Sequence, residues 1–178
     1  MTRLHTVAPD QAGQEAAELF GIVKRNIGKV PNLYATIGSN APAVLAHVLD
    51  TGATLAKSSL SRREQEAINL AVSEATGCDY CLAAHTMTGK LAGYTAEQTR
   101  ELRSGAYAED ARIDALVKFA LQLVQQRGTL DVAAVDALKA AGFDDRQLVE
   151  IPLVVSAILL TNMVNRINDT TLDFPKAA

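Results

Sequence analysis

Apolar residues recur along most of this chain at the spacing of one helix face. From Gln14 to Ile27, the residues Ala16, Leu19, Phe20, Val23 and Ile27 follow a 3.6-residue period, the pattern of an amphipathic helix. Gly28 ends it, and the stretch KVPNLYATIGSNAP, carrying Pro31 and Pro42, reads as a loop or short turn. A second helix is expected over Ala43 to Lys57. Ser61-Arg62-Arg63-Glu64 fits a capping box and opens a third helix that reaches about Thr76. Gly77 supplies the stop, because it tolerates left-handed geometry without a Cβ penalty. Cys78 stands at the start of a fourth helix, which Gly93 closes. Thr95-Ala96-Glu97-Gln98 repeats the capping pattern for a short fifth helix stopping at Gly105. Ala111 to Arg127 places Leu116, Phe119, Ala120, Leu123 and Val124 on one side, and Asp131 to Ala141 and Asp144 to about Asp169 complete the set. No segment of adequate length alternates with period two. The expectation is an all-α bundle of about eight helices.

The last predicted helix holds LVVSAILL, apolar on every side, so it belongs at the centre of the bundle or in a subunit interface. Its uninterrupted run, Leu153 to Leu160, falls short of the roughly 20 residues that a membrane span needs. Glu150, Pro152 and Asn162 flank it, and MTRLHTVAPDQAGQEAAELF contains no apolar signal region. A cytoplasmic protein with no membrane role is expected. The length of 178 residues suits one domain over 1–178, with 1–13 and 170–178 as peripheral tails. Thirty Ala, 21 Leu and only eight aromatic residues reinforce the helical reading. Seventeen Lys and Arg against 20 Asp and Glu give a net charge of −3, which argues against nucleic acid or anionic lipid as partners. Neither a Gly-rich phosphate loop nor a Ser-His-Asp order of triad type is present.

The chemistry concentrates in one stretch. Both cysteines of the chain, Cys78 and Cys81, lie three residues apart at a predicted helix start, and His85 follows one turn later. At 100° per residue all three share one face. The first turn of a helix stabilises an anion, so it favours the reactive thiolate at Cys78. His85 is suited to accept or relay a proton near neutral pH. If the third and fourth helices fold back at Gly77, Glu66 comes level with position 88 and within reach of His85, directly or through one water. It lies opposite the apolar stripe of Ile68, Ala71, Val72 and Ala75, beside Asn69 and Ser73, where a proton relay would sit. A solvated glutamate is the competing reading, and Glu74 reads as a surface residue.

Three readings fit the cysteines: a redox dithiol, a zinc site with His85 and a carboxylate, or inert buried thiols. Structural zinc usually draws a further ligand pair from another segment, and none is evident, so no metal is expected. The dithiol reading fits the spacing and the helix start best. Position 82 is Leu, which excludes a c-type haem. His5 and His47 read as surface or satisfied histidines. Asn162, Asn165, Arg166 and Asn168 cluster late in the final helix, where packing or an interface role outweighs a place on the site rim.

At these residues the sequence resembles the alkylhydroperoxidase D-like (AhpD-like) branch of the carboxymuconolactone decarboxylase superfamily. That family's pattern is a Glu twelve residues before a Cys-x-x-Cys, with a His four residues beyond the second Cys. Here the positions are Glu66, Cys78, Cys81 and His85, within LSRREQEAINLAVSEATGCDYCLAAHT and a following LAGY. GKVPNLY upstream, and AGFDDRQLVEI and NMVNRIND downstream, resemble the peroxidase-related subgroup, so the likeness covers roughly residues 14 to 175. The resemblance implies an all-α fold with a helix–turn–helix dithiol site, a cytoplasmic homo-oligomer (dimer, trimer or hexamer), and a peroxidase needing no cofactor. It also implies roles. Cys81 attacks the peroxide, Cys78 donates a proton and resolves the sulfenic acid as a disulfide, and Glu66 and His85 relay protons. A lipoyl- or thioredoxin-type protein would then reduce the pair. One departure is Tyr80, which stands where the mycobacterial type member has a second His. With an ordinary pKa near 10, Tyr80 is a poor base but remains a hydrogen-bond donor and a secondary site candidate. The decarboxylase branch lacks the cysteine pair, so decarboxylation is not expected. General thiol–disulfide exchange, redox sensing and a non-catalytic oligomeric binding role are the alternatives.

Overall fold

In the computed structural model, which describes residues 2–177, the helices are α1 (Gln14–Ile27), α2 (Asn32–Asn40), α3 (Pro42–Leu55), α4 (Arg62–Ala75) and α5 (Asp79–Leu91), followed by α6 (Ala96–Arg103), α7 (Ala111–Gln125), α8 (Val132–Ala140) and α9 (Asp145–Asn168). A short 3₁₀ turn at Pro9–Gln11 precedes them, and there is no strand among the described residues. The fold is all-α, as the periodicity indicates. Both expected capping boxes form. Ser61 accepts from the Glu64 amide while the Glu64 side chain accepts from the Ser61 amide, and Thr95 and Gln98 do the same for α6.

The helix count is corrected from about eight to nine among the described residues, because the stretch read as a loop is helical. Pro31 and Pro42 mark boundaries there rather than irregular chain. Pro31 occupies the extended position just before α2, and Pro42 is the first residue of α3. At both places a missing N–H costs nothing, since the first amides of a helix have no internal acceptor. Leu33, Ala35, Ile37 and Gly38 of α2 are buried. A Cβ added at Gly38 would run into the Phe20 ring of α1 and lie 2.9 Å from Leu45 Cδ2 of α3. Gly38→Ala is therefore expected to destabilise the fold by about 1–3 kcal/mol through overpacking. Denaturant unfolding would read this as a lowered midpoint, and an unchanged midpoint would contradict the packing described.

Helix α4 is the hub. It packs against α5, α6, α7 and α9, and Ala67, Ile68, Leu70, Ala71 and Val72 are all at most 1% exposed. A helix covered on several sides reads as apolar over a wide arc, which is why its three buried polar residues, Glu64, Glu66 and Ser73, are informative.

Helix α9 has 24 residues and by length and composition could cross a membrane, longer than the run of Leu153 to Leu160 suggests. It packs instead against α2, α3, α4, α5 and α7. It buries Ile151, Val154, Val155 and Ile158 together with Asn162, Asn165 and Asn168, the behaviour of a core helix in a bundle. Burial on every side is not realised within one chain, for Val149, Met163 and Ile167 remain exposed. Beyond α9 the chain turns back over the start of α5, where Asp173 accepts from the Tyr80 hydroxyl at 2.6 Å and from the Lys29 ammonium at 2.9 Å.

Candidate active site

The dithiol forms where α4 reverses into α5. Gly77 makes the reversal possible with φ +65°, and a Cβ there would stand 3.2 Å from the Arg166 guanidinium, so both the backbone and the close approach favour glycine. Cys78 is the N-cap of α5, and its sulfur accepts from the Cys81 backbone N–H at 3.4 Å. Both cysteines are free thiols, 1% and 3% exposed.

The two sulfurs differ in the state they favour. The Cys78 pKa is lowered to about 7, chiefly because the Cys81 thiol donates to its sulfur. Burial opposes this, while the Cys81 amide, His85 and Arg166 assist. The Cys81 thiol is pushed up, first because its proton is held by Cys78, then by burial and by the Cys78 charge. Asn165 and Thr161 pull the other way, and Asn165 Nδ2 donates to Cys81 Sγ at 3.2 Å. When the pair ionises, the two sulfurs thus share the remaining proton, and the charge favours Cys78.

Glu66 is buried, with its side chain 2% exposed. Its Oε2 contacts His85 Nδ1 at 2.8 Å and accepts from the Thr88 hydroxyl at 2.8 Å. Its Oε1 pairs with the Arg62 guanidinium at 2.9 Å. Burial raises the carboxyl pKa, but His85, Arg62 and Thr88 together outweigh it and hold it below the usual carboxylate range. The hairpin register places Glu66 level with position 88, and Thr88 does share its oxygen with His85. The solvated reading of Glu66 is excluded. His85, with a side chain 23% exposed, links this pair toward solvent and acts on the Cys78 charge.

The Cys81 charge also acts on Tyr80, but the Tyr80 hydroxyl is engaged elsewhere. It donates to Asp173 and accepts from the Leu33 amide at 3.3 Å, and the ring meets Phe174 edge-on. It fastens the C-terminal segment rather than donating to the sulfurs. Glu74 is a surface residue, accepting from Arg103 at 2.6 Å. His5 and His47 are exposed. Among the described residues no three His, Cys, Asp or Glu side chains are placed to hold a metal ion together. Two surface clefts, of about 490 and 400 Å³, are lined by residues such as Lys57, Arg146 and Glu150, or Phe20 and Lys24; neither touches the dithiol.

Sequence reasoning placed Asn165 of α9 too low and passed over Thr161 of α9 and Tyr34 of α2, on which the Cys81 charge also acts. A signal existed. Asn162, Asn165 and Asn168 recur every three residues in an otherwise greasy helix, and a buried polar row needs partners in the fold. The structure divides them. Asn162 bonds Thr76 and Ser73, Asn168 holds Leu4 and Thr36, and Asn165 faces a sulfur.

Fold and dithiol together define an all-helical protein with a buried Cys-x-x-Cys site. Residues 42–122, which include Glu66, both cysteines and His85, match the model of the carboxymuconolactone decarboxylase family. The chain is 28% identical over 95 residues to an alkyl hydroperoxide reductase of Mycobacterium tuberculosis, a match covering 53% of this chain and 28% of that protein; the chain thus spans little more than a quarter of that relative's length. Among solved structures, an uncharacterized peroxidase-related protein of Silicibacter sp. TM1040 superposes with TM-score 0.82 at 26% identity, covering 96% of this chain and 91% of that one. An AhpD-core, peroxidase-related protein of Ralstonia eutropha JMP134 gives 0.86 at 20% identity, covering 97% and 92%. The debrominase Bmp8 shares the fold too, at 0.80 and 18% identity over 97% and 93%, so the fold does not fix the reaction.

Proposed function

We propose that this chain is a thiol-dependent peroxidase that reduces hydrogen peroxide or an organic hydroperoxide. One observation carries the reading: two buried free thiols, one acidified to about 7 by the other, beside a buried Glu66 bonded to a half-buried His85. In the first step Cys78 takes the Cys81 proton, and the Cys81 thiolate attacks the terminal peroxide oxygen. The O–O bond breaks, Cys81 becomes a sulfenic acid, and the leaving oxygen takes the proton from Cys78. The Cys78 thiolate then attacks the sulfenic sulfur, forming the Cys78–Cys81 disulfide and releasing hydroxide, which leaves as water with a proton relayed through His85 and Glu66. A neighbouring resolving thiol captures the sulfenic acid before further oxidation. Sulfurs this deeply buried suit hydrogen peroxide or the narrow hydroperoxyl end of an organic peroxide.

A dithiol protein of lipoyl or thioredoxin type returns two electrons and two protons to the disulfide. The free thiols suit a reducing cytoplasm, and the uncovered Val149, Met163 and Ile167 support a homo-oligomer. A second reading, general thiol–disulfide exchange or redox sensing, is favoured by one fact: the acidity of Cys78 derives from Cys81, His85 and Arg166 without Glu66. Hydroperoxide consumption by the reduced protein with a small dithiol donor decides between them. Turnover well above that of the dithiol alone is expected; none, alongside rapid disulfide exchange, would establish the second reading.

A further inference from the structure

Asn165 is unlike every other buried amide on α9. It is 3% exposed, its Nδ2 donates to Cys81 Sγ at 3.2 Å, and its Oδ1 is buried with no hydrogen-bond partner. Buried polar atoms are almost always bonded, because leaving one unpaired is costly. Asn162 and Asn168, one turn to either side, are engaged by Thr76 and by Leu4 and Thr36. The open acceptor therefore belongs to the one amide that touches the sulfur.

We propose that Asn165 anchors the hydroperoxide, its Oδ1 accepting the terminal O–H of the substrate while its Nδ2 holds the Cys81 sulfur. The inference rests on the peroxidase reading and names the group that selects its substrate. Oδ1 and Nδ2 belong to one planar amide, so a donor on the first lies beside the atom held by the second. The oxygen that the sulfur must attack is thereby set against it, an orientation effect of the kind that accelerates bimolecular steps. The bond balance is unchanged: Cys81 Sγ gains the terminal oxygen, the O–O bond breaks, and the alkoxide departs from the side opposite the amide to take the Cys78 proton. The resulting S–OH keeps its hydrogen on Oδ1. A disulfide has no O–H to offer, so Oδ1 gives no help to thiol–disulfide exchange, whereas the Nδ2 bond to Cys81 serves both reactions alike. Thr161 is the natural comparison. Its hydroxyl also faces Cys81, but its proton is given to the Ile158 carbonyl at 3.0 Å, and unlike Asn165 Oδ1 it is not a buried polar atom left without a partner.

The test measures two rates on each reduced protein, one with tert-butyl hydroperoxide and one with a small aromatic disulfide. For Asn165→Ala and Asn165→Leu, the hydroperoxide-to-disulfide rate ratio is expected to fall about tenfold or more. Thr161→Val should move both rates together and leave the ratio within about threefold. Asn165→Leu, which keeps the Cγ branch of asparagine without its polar atoms, carries the test should the alanine variant fail to fold. An unchanged ratio in Asn165 variants that still consume peroxide would overturn the anchoring role alone. Absence of peroxide consumption by the wild type would overturn the peroxidase reading, and this inference with it.

Discussion

Cys81→Ser is expected to lower hydroperoxide turnover by at least about a thousandfold, because in the proposed reaction it removes the sulfur that takes the peroxide oxygen. Cys78→Ser should stop turnover for a different reason. The Cys81 thiol proton then loses its acceptor, since a serine hydroxyl is far too weak an acid to stand as the resting anion. Whatever Cys81 does react remains as sulfenic acid, with no thiol three residues away to capture it. The two variants therefore separate by product. A sulfenic-acid trap should label Cys78→Ser after peroxide exposure and leave Cys81→Ser unlabelled. Labelling confined to Cys81→Ser would exchange the roles of the two sulfurs, and wild-type turnover in either variant would remove the dithiol from the reaction.

Glu66→Gln carries the second large effect, expected at about a hundredfold in turnover, the scale of a lost acid–base partner. Glutamine keeps the shape and can still bond Thr88, but it removes the carboxylate charge that stands 2.8 Å from His85 Nδ1. The same substitution tests stability. The Glu66 carboxyl is held below its ordinary range in the folded chain. Its contribution is therefore fully present above the unfolded-state value of about 4.3 and is lost as pH falls through the lower folded value. Acid unfolding of the wild type should accordingly include a component that Glu66→Gln lacks, while near pH 7 the variant should lose only about 1–2 kcal/mol. Turnover equal to wild type would leave the relay without support and favour simple disulfide exchange, which needs the thiols alone.

Much of this site is legible locally. Capping boxes at Ser61 and Thr95, with glycine stops at Gly28 and Gly77, locate helix ends because a cap is a short-range hydrogen-bond problem. Two helices of known register joined at Gly77 then place Glu66 across from Thr88 and His85 by geometry alone. Helix α2 was hidden because prolines and Gly38 imitate a loop in composition. What distinguishes them is position, at helix starts and under the Phe20 ring, and position depends on the tertiary fold. Asn165 and Thr161 reach Cys81 from more than 75 residues away, so no local pattern connects them. Only the three-residue recurrence of asparagine in an apolar helix signals that something polar awaits on that side. Tyr80 misleads in the opposite sense. Its place between the cysteines suggests chemistry, yet at 100° per residue a helix turns position 80 well away from the face shared by 78 and 81, and its hydroxyl is spent on Asp173.

A stoichiometric titration of the reduced protein with hydroperoxide, in the absence of any other thiol, tests the account most directly. One equivalent of peroxide should consume both thiols and leave an intramolecular Cys78–Cys81 disulfide, located by peptide mapping. Full retention of both thiols after excess peroxide would contradict it.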